Sequence, residues 1–504
     1  MGEKERALDS ESLTVGGLSR VIRQSGVYAL GNVTLKLAGL VLAPFYLNPA
    51  YLSLKSYGYF ALLNVSSQLG IFVIGLGLGT GMLRFMTQEK YRNDRTAIPY
   101  TAFLATLLVA GAAVVLIWLG SAPIASMMLD SPGGAGLVRL LALYVGFKVI
   151  AAIPMMLLRI QERPGRYATV MASEVIILIG AVYVLLVWKG EGLEGVMQAF
   201  VLSSGVTATA LIIDFLFKIR WHFQVSLVRP LVKYGAPLVM AGLAGWFLNV
   251  GDRYLLKWLA DPEAIGIYDW SARLGGVVNM LFVQSFQLAF TVIGLKSLGV
   301  GDQSIHRRMF RHYVIWTGWA VLGLSLLTFD LMNILVAHFG VDRSYLEADV
   351  LVLPVALGFM TYGIYVLVNN VLYAEGATSA IGLIVLVAAL FNAGLNMLLI
   401  PLFGPMGAAL TTWCAYLLLV ILSVGWSRRF IRIVYPWWTY FFTTFLIVGL
   451  YGLGRFTLDW EAPNRLLAHL GLILAYLPLV LVGRLYSREE VLRAWFALRK
   501  WINE

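Results

Sequence analysis

The run Phe391-Asn392-Ala393-Gly394-Leu395-Asn396-Met397-Leu398-Leu399-Ile400-Pro401-Leu402-Phe403-Gly404-Pro405-Met406-Gly407-Ala408-Ala409 decides how this chain is read. It places two asparagines four residues apart inside an apolar helix. A proline-containing break follows, and Gly-Ala-Ala opens the next helix. At that depth in a membrane there is no water, so the two amides need partners inside a bundle or a cavity. The link from Ile400 to Gly407 holds no charge, which requires the two helices to turn back on each other tightly.

The rest of the chain has the same character. Of its 504 residues 60% are hydrophobic and only 13% are charged, with a mean hydropathy of +0.80. Soluble domains carry roughly 25% charged residues. A deficit spread over the whole length predicts an all-α polytopic membrane protein and excludes a string of soluble domains. The net charge of +11 does not signal nucleic acid, because the basic residues sit in short loops between apolar runs. The single cysteine, Cys414, lies in an apolar run, where it reads as a small packing residue.

About fourteen spans of roughly 20 residues fit the sequence. They lie near 24–47, 57–83, 97–119, 137–158, 167–188, 195–217, 231–256, 264–295, 312–332, 350–373, 378–400, 404–426, 436–454 and 466–483. With both termini on the cytoplasmic side, 27 of the 38 Lys and Arg residues fall inside and 7 outside. That is the asymmetry of the positive-inside rule. Residues 1–19 are polar, and the first apolar run is long enough to serve as an uncleaved anchor. Residues 487–504 read as a basic amphipathic helix on the inner leaflet, with Trp495, Phe496 and Trp501 against Arg488, Arg493, Arg499 and Lys500.

Ser56-Tyr57-Gly58-Tyr59-Phe60 opens the second span, and Ala264-Ile265-Gly266-Ile267-Tyr268 opens the eighth in the same way. The two glycines stand six spans apart, so the copies share an orientation. A parallel repeat of six-helix halves follows, with the pathway expected between the halves. This predicts an N-lobe over 20–220 and a C-lobe over 221–430, forming two pseudo-symmetric lobes around a central cavity. Two extra spans over 431–486 follow.

The order of several short motifs resembles a known family. Tyr57-Gly58 is followed by Gly75-Leu76-Gly77-Leu78-Gly79-Thr80-Gly81 and Arg84-Phe85. Then come Asp252-Arg253-Tyr254-Leu255-Leu256, Gly266-Ile267-Tyr268, Asn369-Asn370-Val371-Leu372-Tyr373 and the Asn392/Asn396 helix pair. In this order they resemble the Wzx-type polysaccharide and oligosaccharide flippases of the multidrug/oligosaccharidyl-lipid/polysaccharide exporter superfamily. The resemblance implies a non-enzymatic transporter in a bacterial inner membrane, without a cofactor. Such a protein flips a polyprenyl-pyrophosphate-linked oligosaccharide between leaflets by alternating access, driven by an ion gradient or the membrane potential. Its implied partners are the lipid-linked substrate, membrane lipids and glycan assembly proteins, and a monomer already holds the complete pathway.

A charge at the centre of a span costs roughly 2.5–3.5 kcal/mol, so each one marks a cavity or a partner. The cations within spans are Lys36, Lys148, Arg253 and Arg273, and the acids include Glu174, Asp252 and Asp269. The cations suit a pyrophosphate, with Arg253 the leading candidate and the arginines able to grip oxygens in pairs. The acids are the candidates for ion coupling. Structural pairing competes with both roles. Asp269 and Arg273 have the i, i+4 spacing of an ordinary ion pair, and a hydrogen-bonded packing role competes for Glu174. Asp252 is rotated about 100° from Arg253 on a helix, which predicts that they point apart. Lys36 and Lys148 have no partner nearby in sequence. Asn32, Asn249, Asn369, Asn392 and Asn396 are the polar cavity candidates, although helix–helix bonding is the commoner use of such amides.

The five histidines show no metal-ligand spacing, and no Walker loop is present. Two other readings compete. A cation/drug or metabolite antiporter of the same superfamily predicts a mostly acidic cavity. An integral-membrane glycan polymerase or ligase predicts a large basic outer loop, whereas the longest one here, roughly 333–349, carries one Arg and several acids.

Overall fold

The computed structural model describes residues 38–299, 303–483 and 485. The chain divides into two compact units, one up to Leu243 and one from Ala244 onward. The first unit contains α1 (Leu54–Ile74), α2 (Leu78–Thr87), α3 (Ile98–Leu119), α4 (Ala135–Ile160), α5 (Pro164–Val182), α6 (Gly192–Lys218) and the first part of α7 (Val225–Val250). The second unit takes the end of α7, then α8 (Asp252–Leu259), α9 (Pro262–Val278), α10 (Gln284–Gly299) and α11 (Ser304–Phe339). It continues with α12 (Ala348–Ala374), α13 (Thr378–Phe403), α14 (Pro405–Ser427), α15 (Trp437–Arg455) and α16 (Ala462–Val482). The expected last two spans therefore belong to the second unit.

Among the described residues, eleven helices are long and apolar enough to cross a membrane. They correspond to eleven of the fourteen expected spans. Most of the first expected span, with Asn32 and Lys36, lies outside the described residues, as do the polar N-terminal segment and the amphipathic C-terminal helix. The eighth is a composite in which α9 and α10 are joined through a π-helical turn, Asn279–Val283. The thirteenth is α15, whose opening Trp437-Trp438-Thr439-Tyr440 lowers its apolar character.

Two expected spans are broken, and glycine explains both. The second stops at Gly75, because Leu76 and Gly77 take positive φ of 47° and 64° before α2 begins. The break packs on α7: a Cβ on Gly77 would meet the Gly235 carbonyl oxygen at 2.6 Å, and one on Gly235 would meet the Leu76 oxygen at 2.2 Å. The glycine run thus allows both a bend and a backbone-to-backbone approach. The seventh span stops at Val250, and Gly251 separates it from α8. A Cβ on Gly251 would stand 2.5 Å from the Phe247 oxygen.

The hairpin of α13 and α14 turns at Gly404, with φ 56°, and Pro405 enters α14 in its first turn. Gly407 sits so close to Leu399 that a Cβ would lie 2.3 Å from its carbonyl oxygen. The uncharged link does fold back tightly. At the heart of the second unit is α12, with 83% of its apolar window buried, whereas the other candidate spans reach at most 56%. Leucines and phenylalanines such as Leu108, Leu116, Phe217 and Phe445 point outward, as expected of helices whose solvent is lipid.

Candidate functional site

One cluster of intramembrane charges lies in the second unit, around the break between α7 and α8. Because α7 ends at Val250, Asp252 and Arg253 open a new helix and are not carried along the old one. The Arg253 Nη1 donates to Asp252 Oδ1 at 2.7 Å. Its Nε and Nη2 each reach Asp269 Oδ1 on α9 at 3.4 Å, and its guanidinium lies 5.0 Å from the Tyr268 ring centre. Asp252 Oδ2 accepts from the Tyr268 hydroxyl and, at 3.4 Å, from Thr412 on α14. Arg273 Nε donates to Asp269 Oδ2 at 2.7 Å.

Neighbours expected to point apart are therefore in contact. The 100° offset holds for Cβ directions, but a long guanidinium at a helix start folds back over a short carboxylate. The Asp269–Arg273 pair forms as its spacing suggests. Two arginines and two aspartates make the group neutral overall. Within it the Arg273 side chain keeps 24% exposure, against 8% for Arg253.

Two of the amide candidates link this group to its surroundings or brace the same unit. Asn249 Oδ1 accepts from the Tyr416 hydroxyl at 2.8 Å, and Nδ2 donates to the Gly245 carbonyl at 2.6 Å. Asn369 Oδ1 accepts from Ser423 Oγ at 3.3 Å and ties α12 to α14. Asn392 and Asn396 bond each other at 3.0 Å. That bond leaves Asn392 Nδ2 and Asn396 Oδ1 buried without a partner, one donor and one acceptor in a face that otherwise excludes water.

In the first unit, Lys148 of α4 donates to both oxygens of Glu174 on α5, at 2.7 and 3.0 Å. The partner that the local sequence did not supply to Lys148 comes from the neighbouring helix. The structure thus pairs Lys148 with Glu174, gathers Arg253, Arg273, Asp252, Asp269 and Asn249 into one cluster, and leaves Asn369 and the Asn392/Asn396 pair outside both.

One network escaped the sequence reading. Asp330 of α11 accepts from Arg465 Nε on α16 at 2.7 Å. Its other oxygen is 2.7 Å from His469 Nδ1, and His469 Nε2 is 3.2 Å from Thr457 Oγ1. Asp349 of α12 is bonded to Arg455 of α15 at the same end of the unit. The signal was present: Arg465 and His469 stand four residues apart on one helix, and His469 falls within the last expected span.

Residues 51–292 match the family described as polysaccharide biosynthesis protein. An uncharacterized membrane protein of Methanocaldococcus jannaschii, MJ1068, is 25% identical over 218 residues, which is 42% of this chain and 41% of that protein. The matched part is about two fifths of that relative's length. Among solved structures, the lipid II flippase MurJ in an inward closed conformation superposes with a TM-score of 0.72 at 15% identity, covering 89% of this chain and 97% of that one. An inward-facing multidrug resistance MATE family transporter of the MOP superfamily gives 0.64 at 14% identity, covering 78% and 94%. The chain thus shares the fold of these transporters, and its eleven candidate spans make it a multi-pass membrane protein.

Proposed function

We propose that this chain belongs to the multidrug/oligosaccharidyl-lipid/polysaccharide exporter superfamily and is a flippase for a polyprenyl-pyrophosphate-linked oligosaccharide. It moves the carrier lipid from the inner to the outer leaflet of a bacterial cytoplasmic membrane by alternating access, and both its termini are cytoplasmic. It performs no chemical conversion; the driving force is an ion gradient or the membrane potential. The observation that carries this reading is the match of residues 51–292 to a polysaccharide biosynthesis family. Pyrophosphate contact falls to the intramembrane cations that keep some exposure, Arg273 and Lys148, together with Lys36. Arg253 holds the frame around Asp252 and Asp269, and Asp252 is a candidate for the coupling ion. The assembly proteins that supply the glycan are its expected partners.

One observation favours a second reading. Among the described residues, Lys148, Arg253 and Arg273 are each paired with carboxylates, which leaves no surplus positive charge at these two sites to reject a cationic substrate. A cation or drug antiporter of the same fold is the alternative.

Translocation in proteoliposomes separates the two. A polyprenyl-pyrophosphoryl oligosaccharide is loaded, and its arrival in the opposite leaflet is followed with a membrane-impermeant glycan probe. Protein-dependent arrival that falls in Arg273→Gln supports the flippase. Gradient-driven extrusion of a cationic dye, with no movement of glycan, replaces it with the antiporter.

A further inference from the structure

The Lys148–Glu174 pair does not sit in solid packing. It lines a cavity of about 60 Å³ enclosed by α4, α5 and α6, with Ser204 and Thr207 on its α6 wall. A second, more open cavity of about 310 Å³ lies next to it between α5 and α6. The two share Val170, Thr207 and Leu211 as a common wall. The outer cavity carries Thr169 and Ser173 on α5, and its mouth is marked by Arg166 and Asp214, whose side chains are about half exposed. This mouth is at the end where α4 stops, α5 starts and α6 stops.

The lining is polar in a particular way. Thr169, Ser204 and Thr207 each donate their hydroxyl hydrogen to a carbonyl one turn back, at 3.0, 2.7 and 2.8 Å. Their oxygens can still accept hydrogen bonds from water. The inner cavity is too small for a sugar or a drug-sized cation, which needs several hundred Å³, but it has room for a few water molecules.

We propose that Lys148 and Glu174 form a proton-exchange site, reached by water along the α5–α6 groove from the Arg166/Asp214 end. This rests on the reading of the chain as a transporter driven by an ion gradient, and it names the ion and one site where that ion acts. The step is a simple protonation. In the paired state the ammonium and carboxylate cancel. When an anionic group draws the Lys148 ammonium away, Glu174 becomes a buried carboxylate without a counter-ion, a form that burial disfavours. It then takes one proton from the bulk solution, relayed by water in the groove, and becomes a neutral acid, and Lys148 keeps its three hydrogens throughout. Return of Lys148 releases that proton. The groups facing Glu174 are Lys148 and Tyr144 from α4 and the Ser204 and Thr207 hydroxyls from α6. No other charged side chain lines the inner cavity.

The test uses the full chain in proteoliposomes. Infrared difference spectroscopy follows the carbonyl band of protonated carboxylic acids as pH is varied. In Lys148→Met, Glu174 is expected to hold its proton at neutral pH, giving a band that is absent from Lys148→Met/Glu174→Gln. Identical spectra from the two variants overturn the site. Thr207→Cys, in a Cys414→Ala background, is expected to react with a membrane-impermeant thiol reagent added on the Arg166/Asp214 side and not on the other. Failure to react from that side overturns the route. Neither measurement needs the glycan, so both stand if the wild type moves none and the flippase reading fails. Where the wild type does move glycan, stimulation by an imposed proton gradient, of about tenfold, is expected to vanish in Glu174→Gln. Stimulation that persists in this variant overturns the coupling role while leaving the flippase intact.

Discussion

The two units bury their charges in opposite styles. In the first unit, a single lysine and a single glutamate meet across two helices beside a cavity with room for water. In the second, charges are locked into networks: Arg253 and Arg273 with Asp252 and Asp269, and Asp330 and Asp349 with Arg465, His469 and Arg455. In a low-dielectric interior, a fully satisfied network is rigid because every member lost leaves its partners unpaired. A pair next to water can open at smaller cost. The contrast makes the second unit the braced part of the protein and the first unit the part with a labile electrostatic contact.

Substitutions can break or sharpen this contrast. The largest effect is expected from Asp330→Ala, which strands Arg465 and removes the His469 partner. A loss of about 3–5 kcal/mol is expected, read as an early unfolding transition in detergent. Arg253→Ala comes next, with about 3 kcal/mol lost as Asp269 and Asp252 give up a shared cation. Its flipping defect would accompany instability, which makes Arg253 a poor reporter of substrate contact. Gly235→Ala is expected to cost about 1–3 kcal/mol through overpacking against the α1–α2 break, detectable by the same melt.

The smallest stability changes fall at the first unit's pair and at Arg273, the more exposed arginine of the Asp252/Asp269 cluster. Glu174→Gln should cost about 1 kcal/mol, because a hydrogen bond replaces the ion pair and the adjoining cavity has room for water. If it destabilises as much as Asp330→Ala, the first unit is braced as tightly as the second and the contrast is wrong. Arg273→Gln, at a partly exposed pair, should cost at most about 1 kcal/mol while reducing glycan translocation. A melt shifted as far as that of Arg253→Ala would make Arg273 part of the brace and not a contact for substrate.

Much of the architecture was legible because a bilayer imposes local rules. Every backbone group must bond within its own helix, so spans appear as long apolar runs. The hairpin break appears as the uncharged Gly404-Pro405 link, and an i, i+4 pair such as Asp269–Arg273 needs only its own helix. The second span read as continuous because nothing in the apolar pattern shows that Leu76 and Gly77 adopt positive φ; the packing of Gly235 against them settles it.

Partnership between helices was a different matter. Lys148 finds Glu174 26 residues away, and Asp330 finds His469 139 residues away. Such contacts depend on how each helix is rotated and how deep it sits, quantities that no local spacing contains. Asp252 and Arg253 show the same limit at the shortest range, since the reach and fold of a guanidinium overrode the geometry of adjacent Cβ atoms. The sequence by itself determined the membrane class, the positions of the helices and the inventory of intramembrane charges. Only the tertiary structure decided which charges cancel, which brace the second unit and which pair lines a cavity, because the cost of a buried charge depends on its three-dimensional neighbours.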